Sequence, residues 1–560
     1  MTTRRSRRLS LETLPGWIAP AVIVLSTLAL YWQTLGHGFF NFDDTVYVTE
    51  NPMVLRGLNA EGFYWSWSTC LTGMWHPLTW LSLMANVSLF GQGARGFHAV
   101  NIALHTANAV LLYALLKKAT GDPLRSLIVA LLFALHPLNV ESVAWVSQRK
   151  STLSALFCLT ALYSWVHYVR SGKSRSYLLA WFCFLLALLT KPILVGLPAL
   201  FLLLELWPLE PRKLTWKQRG RELLPFLALS ALSSWICIFP FGPTDVRVGG
   251  PLFVFSDVMN VPLNVVSYLG KLIYPTELCV FYPRRADWSP GLFLLCSVPL
   301  LICITIIILK RNRLWLMATL WFLICVGPVL GVISFGFHCM ADRYLYLPAI
   351  GLFIGLVWSL PSRAFVGWLL AATLLLFAAL AYAQIGLWRT TSALWLRTSS
   401  LTTESPVTLL NTAVALLEQD RTEEAIPMLR RLSVISPGEH RAWMNLGYLE
   451  DRRGHKQEAL ACLRKASLLA PNDARVHNHL GSVLQDLGKL NEAEQELRAA
   501  IQLRPDYADP WINLGVLFAS KGDLNAAIRA FEKALDIQPL SKAAQANLAL
   551  AKAQLNSSRR

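Results

Sequence analysis

The chain has 560 residues, of which 54% are hydrophobic and 15% are charged. A soluble core of this length cannot bury so much apolar surface, so the composition excludes an ordinary soluble protein and predicts an integral membrane protein. The formal net charge of +17 would favour a nucleic-acid partner in a soluble chain, but Lys and Arg in the inner turns of a membrane protein account for much of it. We therefore expect contacts with membrane lipids and no nucleic-acid partner.

The amino terminus begins with the basic stretch MTTRRSRRLS, and an apolar run follows from about Pro15 to Leu35. This run is long enough to cross a bilayer and lacks a convincing cleavage site, so we interpret it as a first transmembrane helix rather than a signal peptide. Arginines before a first span are typical orientation charges, and a twin-arginine export signal is the weaker alternative. Residues 1–14 are predicted to form a cytoplasmic basic tail.

Ten further apolar stretches bring the predicted number of spans to eleven, within a membrane domain at 15–388. They lie at about 97–116, 124–146, 152–170, 176–190, 193–208, 223–241, 291–309, 314–334, 347–361 and 364–386. With the amino terminus inside, the even-numbered turns fall inside and carry clusters of Lys and Arg, as at 310–313. A shorter apolar segment at 261–274 is predicted to be re-entrant or interfacial. An odd number of spans puts everything after Trp388 outside the cytoplasm.

The last part of the chain repeats at a step of 34 residues. The recurring positions are Pro437, Pro471, Pro505 and Pro539, then Ala425, Ala459, Ala493 and Ala527, and the Leu-Gly pairs that end at Gly447, Gly481 and Gly515. This is the period of the tetratricopeptide repeat, in which small residues let two helices approach and Pro ends the second helix. Repeats with a closing helix are predicted over 405–555, after a linker at 389–404 and before a tail at 556–560. His477 and His479 do not share a helical face, so we predict no metal site.

Several charged residues lie on the predicted outer face, although Lys and Arg are usually enriched on the cytoplasmic side of a membrane protein. The basic residues are Arg149, Lys150, Lys191, Arg284, Arg285 and Arg343, and the acids are Asp43, Asp44, Glu141 and Asp342. Basic side chains near a membrane surface attract phosphate, and a carboxylate at membrane depth usually pairs or functions. Contact with ordinary lipid head groups, and helix capping by Asp43 or Asp44, stay open for single residues. The outer loop at 36–96 also holds four Trp residues, which suits helices that lie along the interface and wall a site.

Six motifs are more informative together than singly. They are FNFDDTVYVTENP, MWHPLTWLS, FHAVNIALHTANAVLL, LHPLNVESVAWVSQRK, LLTKPILVGLP and ADRYLYLP, and the repeats follow them. Over nearly the whole chain this combination resembles the transmembrane and tetratricopeptide repeat-containing O-mannosyltransferases of eukaryotes and their bacterial relatives. Those proteins are GT-C glycosyltransferases, with the site on the outer face and a polyprenyl-phosphate sugar as donor. In the eukaryotic members the donor is dolichyl-phosphate mannose and the acceptors are Ser or Thr of secreted proteins.

The resemblance implies an all-α fold, a GT-C-like polytopic helix bundle of about 11 spans followed by a tetratricopeptide-repeat α-solenoid. It implies a bacterial inner membrane with the repeats in the periplasm, or an endoplasmic reticulum membrane with the repeats luminal. The family's acidic pair, its membrane-proximal Glu and its basic residues fall on Asp43, Asp44, Glu141, Arg149, Lys191 and Arg343. Relatives commonly carry an Asp where this chain has Ser151, and this departure weakens any inference about the sugar.

Sugar transfer from a lipid phosphate requires a base for the acceptor hydroxyl, stabilisation of the anomeric centre and positive charge for the departing phosphate. We predict Asp43 as the base, with Asp44 and Glu141 positioning the acceptor or organising the basic groups. Arg149, Lys150, Lys191 and Arg343 would hold the phosphate, and His76 and Tyr344 could wall the site. Phosphate is a good leaving group, so no general acid is strictly required. Arg and Lys could replace a metal, and we assign no metal ligand. The predicted partners are the lipid-linked sugar and an acceptor polypeptide bound by the repeats.

Two other functions stay open. A transporter would also place acids and Pro-broken helices in the membrane, but it should show internal repeats there, and none is evident. An envelope scaffold would use the repeats as its active part and the membrane half as an anchor. One span would suffice for such an anchor, which leaves the other spans unexplained.

Overall fold

The computed structural model describes residues 15–209, 212–238, 255–284, 289–330, 338–361 and 363–558. The chain divides into two compact units, Met1–Thr402 and Thr403–Arg560. Both units are helical, which confirms the predicted all-α class. The predicted basic tail at 1–14 lies outside the described residues, and so does Arg285.

The helices of the first unit carry the long apolar runs of the sequence. In chain order they are α1 Ile18–Tyr31, α2 Pro52–Leu55, α3 Ala60–Ser68, α4 Pro77–Phe90, α5 Ala94–Thr120, α6 Pro123–Leu135, α7 Val140–Ala144, α8 Arg149–Ser171, α9 Ser174–Thr190, α10 Leu197–Leu206, α11 Trp216–Ile238, α12 Phe255–Met259, α13 Val261–Ile273, α14 Pro290–Leu309, α15 Arg313–Val326, α16 Pro348–Ser359, α17 Ala364–Leu387 and α18 Thr391–Leu401. A two-stranded antiparallel ribbon joins β1, Tyr282–Pro283, to β2, His338–Met340.

The predicted count of eleven spans is not confirmed. Among the described residues, six helices are long and apolar enough to cross a membrane, or seven if the bent pair α6 and α7 counts as one span. The helices at the other predicted spans are apolar but have 10–17 residues. At about 1.5 Å per residue such helices are shorter than the hydrocarbon core of about 30 Å.

The stretch predicted as one continuous span at 124–146 is bent. Its two helices, α6 and α7, meet at an angle of 53°. The break contains Pro137, whose missing N–H cannot continue the hydrogen-bond ladder of α6. The bend puts Glu141 in a short helix of its own, beside the start of α8.

Helix ends gather at one end of the first unit, and hydrogen bonds between distant segments hold them there. Thr79, at the start of α4, donates to the carbonyl of Thr190, the last residue of α9, at 2.8 Å. The backbone N–H of Ser147, just before α8, donates to Asp44 of the first outer loop at 2.8 Å. This end of the bundle is where the predicted site residues lie.

The outer loop at 36–96 forms its own small core. Trp80 and Tyr47 are buried in an apolar cluster with Val54 and Leu83, and Trp65 packs against it. Trp80 therefore lies inside this cluster. Its indole is fully buried because it stacks on Tyr47, with ring centroids 4.8 Å apart.

The predicted linker at 389–404 instead contains helix α18. Leu394 and Trp395 of this helix are fully buried within the first unit. The helix has a regular start, since the Thr390 side chain accepts a hydrogen bond from the backbone N–H of Ala393 at 3.2 Å. The first unit thus extends beyond its last long apolar helix.

The second unit consists of helix pairs, as the 34-residue period predicts. These are α19 Pro406–Glu418 with α20 Thr422–Ile435, α21 His440–Arg452 with α22 Lys456–Leu469, α23 Ala474–Asp486 with α24 Leu490–Leu503, and α25 Ala508–Ser520 with α26 Leu524–Ile537, closed by α27 Lys542–Ser558. Packing within a pair is close, because a Cβ on Gly481 of α23 would lie 2.7 Å from Leu497 of α24. His477 bonds to Glu496 and to the Pro471 carbonyl, at 2.6 and 2.9 Å, so its ring serves the packing of the repeat.

Candidate functional site

The acidic pair of the first outer loop is divided between two environments. Asp44 is 1% exposed, and its carboxylate accepts hydrogen bonds from the backbone N–H groups of Phe40 and Ser147 at 2.9 and 2.8 Å. Burial raises the pKa of Asp44 to about 7, although both backbone donors favour the charged form. The side chain makes no cap bond to the following turn, Thr45–Thr49. Asp44 therefore tethers the outer loop to the segment before α8.

Asp43 is the more accessible member of the pair. Its side chain is 34% exposed, and its Oδ2 lies 4.0 Å from Nζ of Lys150. The Lys150 ammonium also donates to the hydroxyl of Tyr47 at 2.9 Å and lies 4.3 Å from the centroid of that ring. A second contact thus fixes the cation beside Asp43, while part of the carboxylate stays open to an incoming hydroxyl.

His76 lies behind this pair. Its ring stacks on Tyr47 and Trp80, with centroids 5.7 and 5.1 Å away, and neither ring nitrogen has a hydrogen-bond partner among the described residues. Burial, with a smaller contribution from the charge of Lys150, lowers the pKa of His76 to about 3. The ring is therefore neutral at physiological pH, and it contacts the site through Tyr47.

Glu141 and Arg343 form a buried pair although they are 202 residues apart. The Glu141 carboxylate accepts hydrogen bonds from the Arg343 guanidinium and, at 2.8 Å, from the Arg343 backbone N–H. The guanidinium carbon lies 5.2 Å from the ring centroids of both Trp145 and Tyr344. Burial opposes the charge of Arg343, but the neighbouring Glu141 raises its pKa above the ordinary value.

Lys191 is a cation without a carboxylate partner. Its Nζ donates to the hydroxyl of Ser151 at 2.9 Å and lies 5.8 Å from the ring centroid of Tyr344, and it forms no ion pair within the described ranges. Burial, followed by the charges of Lys150 and Arg343, lowers the pKa of Lys191 to about 7, while Glu141 acts in the opposite direction. Lys150 lies 4.0 Å from Asp43 and Arg343 pairs with Glu141, so Lys191 is the one of these three cations that makes no ion pair with an acid among the described residues.

Arg149 is the predicted phosphate ligand that the structure separates from the others. It is fully buried, and its guanidinium donates to the side-chain oxygens of Asn101, Asn86 and Ser82 and to the carbonyl of Phe97. These bonds tie α8 to α4 and α5. The expectation that Arg149 holds the phosphate therefore needs correction, because its donors are bound to protein groups inside the core.

Arg284 is not brought into the cluster either. Its guanidinium bonds to Asp257 of α12, which precedes it by 27 residues. Asp342, beside Arg343, accepts from the hydroxyl of Tyr282 at 2.9 and 3.0 Å. Burial raises the pKa of Asp342 to about 7, against the charge of Lys271.

Sequence reasoning missed Tyr47, Tyr282 and the hydroxyl of Ser151 as partners of the charged groups. Tyr47 lies within the motif FNFDDTVYVTENP, and Tyr282 lies two residues before Arg284. A tyrosine a few positions from a predicted Asp or Arg is the available signal. The arrangement can bind an anion against Lys191, Lys150 and Arg343 and present a carboxylate beside it. Within the described part of the chain, no group of three or more His, Cys, Asp or Glu could hold a metal ion.

Comparison with known proteins agrees with the resemblance predicted from the motifs. Two tetratricopeptide-repeat models match residues 416–481 and 472–539. The chain is similar to proteins named protein O-mannosyl-transferase: it is 27% identical to TMTC4 of Homo sapiens over 424 residues, which are 60% of this chain and 55% of that protein. It is 32% identical to tmtc2 of Xenopus laevis over 166 residues, which are 28% of this chain and 19% of that protein. The matched part thus spans between about a fifth and about a half of these relatives.

Among solved structures, similarity is found to the MamA protein and to TTC0263. The MamA protein is 25% identical with a TM-score of 0.24, covering 26% of this chain and 80% of that one. TTC0263, a thermophilic TPR protein in Thermus thermophilus, is 23% identical with a TM-score of 0.27, covering 32% of this chain and 95% of that one.

Proposed function

We propose that this protein is a membrane glycosyltransferase that moves a sugar from a polyprenyl-phosphate donor to an acceptor hydroxyl. One observation carries the proposal: an accessible carboxylate, Asp43, lies beside a group of cations. This group includes Lys191, whose ammonium bonds to a hydroxyl instead of an acid. A cation whose hydrogen bond goes to a hydroxyl rather than to a carboxylate suits a phosphate that must be bound and then released. Similarity to proteins named O-mannosyl-transferases supports mannose as the first sugar to test.

The reaction is a single displacement of the inverting GT-C type. Asp43 accepts the proton of the acceptor hydroxyl while the hydroxyl oxygen forms a bond to the anomeric carbon. The bond between that carbon and the phosphate oxygen breaks, and its electron pair leaves with the phosphate. One displacement at carbon inverts the anomeric configuration, and no covalent intermediate with the protein is formed.

The cations act on the departing phosphate. Lys150, Lys191 and Arg343 stabilise the negative charge that grows on the phosphate oxygens as the bond breaks. Glu141 accepts one hydrogen bond from the guanidinium of Arg343 and one from its backbone N–H, so the side chain is held in place and needs little reorganisation. Arg149 serves as a positioning residue, because its bonds to α4 and α5 hold the start of α8, where Lys150 follows.

We further propose that the reaction takes place on the non-cytoplasmic face, with the lipid tail of the donor in the bilayer and the repeats recruiting a polypeptide acceptor through its Ser or Thr. The basic inner turns support this orientation. The last long apolar helix also ends at the site, since Trp388 contacts Phe40 with ring centroids 5.4 Å apart. Tetratricopeptide repeats commonly present a concave binding surface, which suits a polypeptide partner.

Reconstituted protein tests the proposal. In vesicles supplied with polyprenyl-phosphate mannose and an acceptor polypeptide, Asp43→Asn should lower transfer by about two to four orders of magnitude and leave donor binding unchanged, the range for a lost general base. Lys191→Met should instead weaken donor binding. Lys173→Met, an exposed lysine in the turn between α8 and α9, is the matched control and should change neither quantity.

The contrary outcomes are distinct. Normal transfer by Asp43→Asn would move the base to Asp44 or Glu141, and silence of substitutions at all three acids would refute a glycosyltransferase. Co-purified lipid identified by mass spectrometry would name the sugar. If deletion of residues 405–560 produces a cellular phenotype and Asp43→Asn produces none of it, the result would favour a scaffold.

A further inference from the structure

The helix that follows the last long apolar helix packs directly behind the acidic pair. Phe40 lies between the two, because its backbone N–H donates to Asp44 while its ring contacts Trp388 and Trp395 of the 388–401 segment, with centroids 5.4 and 6.3 Å away. The backbone N–H of Asn41 donates to the hydroxyl of Thr391, the first residue of α18, at 3.0 Å. Two successive residues of the loop are thus fixed by α18.

The indole of Trp395 is central to this contact. It is fully buried, and the ring of Phe42 meets it edge-on at 5.4 Å. Phe40 and Phe42 also contact Trp145, whose ring lies 5.2 Å from the guanidinium carbon of Arg343. One aromatic cluster therefore joins the loop that carries Asp43 to a residue of the phosphate site, and α18 closes that cluster.

Resting on the proposed function, we propose that α18 is a positioning element of the transferase site, in which Trp395 and Thr391 hold residues 40–42 so that Asp43 faces the acceptor hydroxyl. The Asp43 side chain is partly exposed and its contact to Lys150 is long, so its direction depends on the backbone that precedes it. That backbone is bonded to Asp44 on one side and packed against α18 on the other. A carboxylate displaced by about 1 Å loses about 100-fold in rate, because proton transfer requires hydrogen-bond distance.

The contacts also predict what α18 does not do. Arg343 contacts Trp145 of the aromatic cluster, but its guanidinium is held by a hydrogen bond to Glu141, and Lys191 bonds to Ser151. The hydrogen bonds of both cations thus lie outside α18. Donor binding should therefore survive a change in α18 that lowers transfer. This split distinguishes a positioning role from general loss of structure.

The test uses Trp395→Ala in the full-length protein reconstituted in vesicles. We expect transfer about 100-fold below wild type, unchanged binding of the lipid donor, and faster hydrogen exchange of peptides that cover residues 39–50. Trp395→Phe keeps an aromatic ring and should recover most of the transfer. In an Asp43→Asn background, Trp395→Ala should lower transfer no further, because the two changes remove the same contribution.

Trp165→Ala is the matched control, since Trp165 is an equally buried indole that stacks on Phe201 with centroids 4.5 Å apart, far from α18 in the chain. It should leave exchange in residues 39–50 and transfer per folded molecule unchanged. If Trp395→Ala does not fold, Thr391→Val removes the oxygen that binds Asn41 and should raise exchange at 39–50 and lower transfer several-fold.

Additive effects of Trp395→Ala and Asp43→Asn, or unchanged exchange in residues 39–50, would overturn the role of α18. Absence of transfer in the wild-type protein would instead refute the proposed function. The exchange experiment does not depend on transfer, so the two failures can be told apart.

Discussion

Asp43 and Asp44 are neighbours in the chain, but their side chains meet different surroundings. Each oxygen of Asp44 accepts a backbone hydrogen bond, whereas Asp43 keeps part of its carboxylate open beside Lys150. Residues 43 and 44 are helical, and successive side chains on a helix point about 100° apart. We therefore assign a structural role to Asp44 and keep Asp43 as the proposed base.

Asn substitutions separate the two roles. Asp44→Asn should destabilise the protein by about 1–3 kcal/mol, because an amide offers one acceptor oxygen and leaves the backbone N–H of Phe40 or of Ser147 unsatisfied. Asp43→Asn loses no such bond and should leave the thermal unfolding midpoint unchanged. Unfolding of both variants in detergent measures the difference, and an equal effect of the two changes would contradict it.

The lowered pKa of Lys191 predicts that donor binding depends on pH. With a pKa of about 7 in the free site, Lys191 is charged below neutrality and loses its proton as the pH rises. Because phosphate binds the charged form, donor affinity should fall by up to about tenfold per pH unit above pH 7. Binding measured between pH 6 and 8.5 checks this.

Lys191→Arg supplies the control for that titration. A guanidinium stays charged throughout this range, so the slope should become much flatter. Asp44 and Asp342 also titrate near neutrality and add negative charge as the pH rises, so a small residual slope in this variant reports these two carboxyl groups. An unchanged slope would assign the dependence to a group other than Lys191.

At the scale of elements, neighbouring residues on α8 have opposite duties. Arg149 is buried among α4 and α5, while Lys150 reaches Tyr47 and Asp43. Successive residues on a helix point about 100° apart, so a basic pair at a helix start cannot place both side chains in one site. The sequence identifies the pair, and the packing of α8 decides which member is buried.

Close approach of the two helices in each repeat gives a second prediction at this scale. Gly481→Ala places a Cβ 2.7 Å from Leu497, so the repeat must shift, and we expect a loss of about 1–3 kcal/mol. Gly438→Ala is the control, because a Cβ there meets nothing within 4 Å. Thermal unfolding of the two variants compares them, and equal midpoints would refute close packing at Gly481.

At the scale of the whole molecule, the structure of the second unit could be predicted from the sequence more completely than that of the first. Repeats were predictable because Gly481 and its counterparts mark each helix pair at a constant step. In the membrane half, the sequence shows charged residues at the ends of predicted spans, but it does not show which of them pair. Glu141 meets Arg343, and Phe40 meets Trp395, across hundreds of residues that carry no local signal.

The number of membrane spans could not be predicted from the sequence, for a different reason. Hydropathy detects apolar stretches, but helix breaks such as the one at Pro137 set the length of each helix and therefore whether it crosses the bilayer. Orientation is a separate question. We expect a reporter that is active only in the cytoplasm, fused after Arg560, to be silent. Strong activity there would change the predicted count by one, and the segment at 261–274 would be the first to re-examine.

The position of helix α18 affects where the membrane half and the repeats of two such proteins can be recombined. Hydropathy alone would put the cut between membrane half and repeats at the end of the last apolar helix, yet Trp395 belongs to the core of the first unit. A chimaera joined at Trp388 would carry a foreign α18 against its native loop, whereas one joined at Thr403 would keep that helix with its own partners. We expect recombined proteins joined after Leu401 to retain donor processing while taking their choice of acceptor from the grafted repeats.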